Sequence, residues 1–174
     1  MHEIDVPEGV EVKIAESMLM LKGKSGSSSK KINTRLLKVA VEGGKITVKG
    51  SPNKKLEKVS ALAAQAFSSE VRSAINGVVN GIEKRMVIFY AHFPITIEVK
   101  NKQVYIKNIF GEKVPRVTEI VGDTKVEVKG QDVIVRGADP YDVGQTVANL
   151  RKACYSRGYD TRVFQDGIYI SKAE

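Results

Sequence analysis

The stretch "GGKITVKG" at residues 43–50 returns at residues 130–137 as "GQDVIVRG", with the same pattern of glycine, alternating apolar residues, basic residue and closing glycine. The same offset of 87 positions aligns "PEGVEVK" at 7–13 with "PITIEVK" at 94–100, and "KVAVEG" at 38–43 with "KVEVKG" at 125–130. Three separated segments share one register and only two copies fit. The pattern is a tandem duplication of one domain, not a solenoid of short repeats. It predicts an N-terminal repeat over 1–82 and a C-terminal repeat over 83–174. Halves of that size lie near the lower limit for burying a core alone.

Period-two alternation marks Val10, Val12 and Ile14, then Leu19 and Leu21, then Val39 and Val41, then Ile46 and Val48, as half-buried strands. "EGGK" at 42–45 and "KGQD" at 129–132 read as tight hairpins whose glycines supply positive φ. The period then changes. Leu56, Val59, Ala63, Phe67, Val71 and Ile75 recur at three and four, which predicts a helix begun by "SPN" at 51–53. In the second copy "DP" at 139–140 opens a helix whose apolar stripe is Val143, Val147, Leu150 and Cys154. Each copy is expected to follow its helix with a further strand, "MVIFYA" at 86–91 and "GIYI" at 167–170. The fold class is α+β, each repeat a mostly antiparallel sheet packed against one long helix.

Composition is globular, with 42% hydrophobic and 28% charged residues, and no apolar run approaches the roughly 20 residues of a membrane span. The N-terminus "MHEIDVPEG" lacks a signal-peptide pattern, so a cytoplasmic protein is expected. Catalytic chemistry finds no anchor. His92 in "YAHFP" has no nucleophile placed beside it, and Cys154 falls on an apolar helix stripe, where it reads as a small hydrophobe. One cysteine and two histidines do not make a zinc site, and Asp139 and Asp142 read as cap and first-turn residues. "GKSGSSSKK" at 23–31 fails as a phosphate loop, because the first glycine that motif requires falls at Met18. No enzyme activity, metal, cofactor or small-molecule substrate is expected.

Charge is what remains. Lys and Arg number 28 against 20 for Asp and Glu, for a net charge of +8. No acid occurs between Ser17 and Val41, while Lys22, Lys24, Lys30, Lys31, Arg35 and Lys38 fall there, and "GKSGSSSKK" at 23–31 in the middle reads as a flexible Ser-rich loop. A second basic set comprises Lys107, Lys113 and Arg116 around "NIFGEKVPR", with Arg151, Lys152, Arg157 and Arg162 at and beyond the second helix. Such clusters fit a polyanion, since lysine and arginine neutralise phosphates with release of counterions. With 6% aromatics and no Trp, structured RNA read by shape suits the composition better than a base-stacking platform. The alternative is a free-standing basic adaptor that binds protein or RNA.

"YAHFPITIEV" at 90–99, "NIFGEKVPR" at 108–116, "IVGDTKVEVKGQDVIVRG" at 120–137, "DVGQTVANL" at 142–150 and "TRVFQDGIYI" at 161–170 together resemble the archaeal branch of the L-six family of large ribosomal subunit proteins. That resemblance implies two homologous α+β domains and no enzymatic activity. It also implies binding to large-subunit rRNA, mainly through the C-terminal domain, near the stalk base, the sarcin–ricin region and the docking site of translational GTPases. Neighbouring ribosomal proteins at the stalk base are expected partners. The family's Gly-Glu-Lys loop matches Gly111, Glu112 and Lys113, followed by Arg116; its C-terminal signature matches Arg162, Phe164, Asp166, Gly167, Ile168 and Tyr169. Lys113, Arg116, Arg157 and Arg162 are the expected phosphate contacts, with Arg151, Lys152 and Lys107 next. Tyr169 is expected in the core. The first half departs from the family pattern at Lys24–Ser27 and at Ile82, so Lys22, Lys24, Lys30, Lys31 and Arg35 stand as candidate contacts to RNA, to a neighbouring protein, or to nothing.

Overall fold

The computed structural model describes residues 2–42, 44–50, 57–156 and 158–171. The chain divides into two compact units, Met1–Gly81 and Ile82–Glu174. In the first, strands β1 (His2–Asp5), β2 (Glu11–Ala15), β3 (Met18–Gly23), β4 (Gly26–Lys31), β5 (Leu37–Glu42) and β6 (Lys45–Gly50) precede helix α1 (Glu57–Asn80). They form two antiparallel sheets, ordered β1-β6-β5 and β2-β3-β4, and α1 packs against strands of both.

The second unit holds β7 (Ile82–Phe89), β8 (Thr96–Lys100), β9 (Gln103–Lys107), a 3-10 turn at Ile109–Gly111, β10 (Arg116–Glu119), β11 (Lys125–Lys129), β12 (Asp132–Gly137), α2 (Pro140–Ala153) and β13 (Gly167–Ile170). Its sheets are ordered β10-β9-β8 and β11-β12-β7-β13, again antiparallel. The α+β class holds, with two sheets in each unit where one was expected.

The repeated phrase occupies β6 and β12, each in the interior of its sheet. Ile46, Val48, Val133 and Val135 point inward and are fully buried, each such side chain stabilising its core by about 1.5–3 kcal/mol. Gly44 and Gly130 lie in the two-residue hairpin loops at φ +77° and +62°, a conformation that costs other residues more. The closing glycines have a different task. A Cβ on Gly50 would meet Ser60 of α1 at 3.0–3.2 Å, and one on Gly137 would meet the Val143 side chain of α2 at 2.7 Å. Both let a helix lie close against the sheet.

Four expectations are corrected. The strand after α1 spans 82–89, not 86–91, and it does not end the first copy: β7 opens the second unit, between β12 and β13. The Ser-rich segment is no flexible loop. It is β4, hairpinned to β3, and the turn at Lys24–Ser25 is tied to α1 through Ser25, whose N–H and hydroxyl donate to the Val78 and Val79 carbonyls at 2.9 and 3.0 Å. The buried face of α1 runs through Ser60, Ala64, Phe67, Ser68, Val71, Ala74, Ile75 and Val78, which leaves Val59 exposed and Ala63 half-buried. The two buried serines return their hydroxyls to the Glu57 and Gln65 carbonyls, so the small residues approach the sheets without an unpaired polar group. Tyr169, fourth, is half-exposed and not in the core. Gly43, the expected cap at 51–53 and Leu56 lie outside the described residues.

Helix α2 forms as its sequence predicts. Asp139 caps it by accepting from the Tyr141 N–H at 2.8 Å, Pro140 stands in its first turn, and Val143, Val147, Leu150 and Cys154 are buried.

Candidate nucleic-acid interface

The expected phosphate contacts fall on two stretches of the second unit, from the end of β9 to the start of β10 and from the last turn of α2 onward, and one residue ties the two together. The loop after β9 leaves the strand through Asn108 and Phe110 at positive φ, anchored by the fully buried Ile109. Arg116, at its far end, closes it. The Arg116 Nε and Nη2 donate to the two Glu112 carboxylate oxygens at 2.8 and 2.6 Å, a bidentate pair. Its Nη1 donates to the Ala153 and Tyr155 carbonyls at the C-terminal end of α2, both at 2.9 Å, where a helix end favours a cation. The pairing holds the Glu112 carboxyl below the ordinary range and raises the Arg116 guanidinium.

The same guanidinium lies 5.7 Å from the centre of the Phe110 ring. Phe110 stacks on Tyr159 at 5.2 Å and meets Phe164 edge-on; Phe164 in turn stacks on His92 at 5.1 Å. Segments around 92, 108–116 and 154–164 are therefore locked by one aromatic cluster. Contacts of this kind add about 0.5–1.5 kcal/mol each beyond area burial. Beneath them Asp166, buried, accepts from the Ala91 N–H at 2.8 Å and faces the His92 Nδ1 at 3.6 Å. His92 is a packed histidine, as its sequence context predicts. Cys154 is also what its stripe implies: burial pushes its thiol up to about 11.

Among the expected contacts, the structure separates available charges from engaged ones. Lys113, Arg151, Lys152 and Arg162 are exposed, with no ion pair to a described residue. Arg151 and Lys152 line an open depression of about 460 Å³ with Tyr155, Gly144, Val147 and Ile170. Arg116 is not available: four of its five N–H bonds are spent within the protein, which makes it a brace. Lys107 is paired with Glu98, which also bonds Lys100 and is drawn down to about 2 by Lys100 and Lys107. Arg157 lies outside the described residues. In the first unit Lys22, Lys24, Lys31 and Arg35 are exposed, but Lys30 is buried and 3.4 Å from Glu70 of α1. Lys30 is removed from the surface set.

Sequence reading missed Glu112, Phe110, Tyr159 and Asp166 as the residues that hold this end together. Glu112 and Asp166 stood in the matched motifs without a role, and for Phe110 and Tyr159 the signal was the crowding of aromatics: of eleven Phe and Tyr residues, every one but Phe67 falls after Ile82. Among the described residues no group of three His, Cys, Asp or Glu could hold a metal, and no helix is long and apolar enough to cross a membrane.

The exposed Lys113, Arg151, Lys152 and Arg162 give the described part of this end a basic, solvent-facing surface. The profile of the family described as ribosomal protein L6 matches residues 93–167. The large ribosomal subunit protein uL6 of Methanocella arvoryzae is 40% identical over 171 residues, covering 98% of this chain and 95% of the relative. Its counterparts in Methanosarcina mazei and Thermoplasma volcanium are 38% and 39% identical, each covering at least 96% of this chain and 93% of the relative. The chain belongs to the ribosomal protein L6 family, a structural family without enzymatic activity.

Proposed function

We propose that the protein is a structural constituent of the large ribosomal subunit in the cytoplasm, and that its C-terminal unit is the main anchor on large-subunit rRNA. Lys113, Arg162, Arg151 and Lys152 are its phosphate contacts, with Arg116 holding the loop end in shape and Arg157 assigned from the sequence alone. The observation that carries this reading is the Arg116 brace, which binds the basic loop to the basic end of α2. A preset surface loses little conformational entropy when it meets an RNA backbone. The partner RNA includes the sarcin–ricin region, with neighbouring proteins at the stalk base and the factor-binding GTPase site close by.

The test is a salt series of binding to a large-subunit RNA fragment containing the sarcin–ricin stem. The variant changes Lys113, Arg151, Lys152 and Arg162 to alanine. Each lost phosphate contact removes about 0.7–0.9 from the log–log slope, so the variant is expected to be shallower by about three. An unchanged slope overturns the assignment.

A further inference from the structure

The N-terminal unit carries a second charged surface, which the pleat of β2-β3-β4 assembles. Side chains paired across antiparallel strands share a face. One face holds the buried Leu19, Leu21, Ser28 and Lys30. The opposite face, wholly exposed, is built in three rows. Lys13, Met20 and Ser29 form the middle row. Ala15, Met18 and Lys31 form the row at one end, and Glu11, Lys22 and Ser27 the row at the other.

This face holds three lysines on three different strands against one acid, and none of the three is ion-paired to a described residue. Lysines on edge strands often serve only to block edge-to-edge pairing, and Lys13 and Lys31 stand on edges. Lys22 does not. It lies on the central strand with Met18 and Met20, where no edge needs protecting and where two half-exposed thioethers make an apolar centre. Two of the three outward residues of β4, Ser27 and Ser29, are serines, whose small hydroxyls leave that part of the sheet flat and open to close approach.

We infer that this face is a second RNA-backbone contact, made by Lys13, Lys22 and Lys31 to phosphates with Ser27 and Ser29 donating beside them. Side-chain donors outnumber acceptors on it, which matches phosphate and 2′-hydroxyl oxygens. It has no aromatic ring, so it does not stack bases as other sheet-faced RNA binders do. Lysine is depleted at the centre of protein–protein interfaces, which weighs against an occupant of that class. The inference rests on the reading of the chain as an rRNA-binding protein.

Purified large-subunit rRNA is the probe, titrated across salt with the full chain, with Lys13→Glu/Lys22→Glu/Lys31→Glu, and with the C-terminal alanine variant described above. The N-terminal variant is expected to have a slope shallower by about two. If only the C-terminal variant changes, the second contact is overturned and the anchor stands; if neither changes, both readings fall. A second arm does not depend on the charge reversal. Ser29→Cys in the full chain, coupled to a photoactivated cross-linker and assembled into large subunits, is expected to cross-link to RNA. Labelling is selective, because Cys154 is buried. Cross-links to protein alone would overturn the inference.

Discussion

The two units answer the same scaffold problem alike and the surface problem differently. β6 and β12 occupy equivalent residues at the offset of 87, bury the same two inward positions and end in glycines against which the following helices pack. The residues outside that shared frame diverge. The first unit spends 24 residues on α1 and turns the β2-β3-β4 face outward with lysine, serine and methionine. The second has a 14-residue helix and a long return through Tyr159 and Phe164, which stacks on the loop after β9. The two units share the inward positions that make the core and differ in helix length and in the surfaces they expose. The consequence for recognition is specific: charge is displayed on a regular sheet in one copy, and on loops held by an arginine and aromatic rings in the other.

The strongest way to break this comparison is to remove the brace. Arg116→Ala deletes a bidentate carboxylate pair and two hydrogen bonds to carbonyls, and charge-assisted bonds contribute about 1.5–3 kcal/mol each where they are shielded. Because Arg116 is partly exposed, the expected loss is about 3 kcal/mol, read by chemical denaturation. Arg116→Lys should not restore it, since an ammonium lacks the planar fork. The same variant separates bracing from phosphate contact. A brace predicts weaker RNA binding with an unchanged salt slope; a slope shallower by about one would show a phosphate on Arg116 itself.

The shared frame can be tested at its closing glycines. Gly50→Ala and Gly137→Ala each force a methyl against a helix, on the Ser60 backbone in one case and on the stiff, β-branched Val143 in the other. Each should cost about 2 kcal/mol, within the usual range for overpacking. Equal costs in thermal melts would show that the two copies kept the same helix-to-sheet spacing. A neutral result at either glycine would mean that its helix can move away freely.

Those glycines also show how far the sequence could be read. The pattern of Ile46 and Val48, or Val133 and Val135, was legible because alternating apolar residues report a buried face directly. β4 was not, because "GSSSKK" offers no apolar residue: its inward positions are Ser28 and Lys30, so the hydrophobic period is silent where the strand exists. The buried stripe of α1 was legible at Phe67, Val71 and Ile75 but misread in its first turns, for a related reason. Val59 and Leu62 are apolar but exposed, while Ser60 and Ser68 are polar but buried. The basic residues around Arg116 were legible as a cluster, yet its role depended on carbonyls 37 and 39 positions away, a contact that only the fold creates.

The smallest expected effect sharpens the same point within the first unit. Lys30 and Lys31 are neighbours in sequence, and the pleat sends them to opposite faces: Lys30 inward to Glu70, Lys31 outward beside Met18. Lys30→Met keeps the length of the side chain and removes a buried charge whose desolvation already offsets much of its attraction to Glu70. Glu70 is half-exposed, so water solvates it when the partner is lost. Stability should therefore change by less than about 1 kcal/mol, and the RNA salt slope should not change at all. Lys31→Met, by contrast, should leave stability untouched and make the slope shallower by about 0.7–0.9. If the two variants exchange these behaviours, the register of β4 on β3 is wrong by one residue, since a slip of one turns every side chain of a strand to the other face.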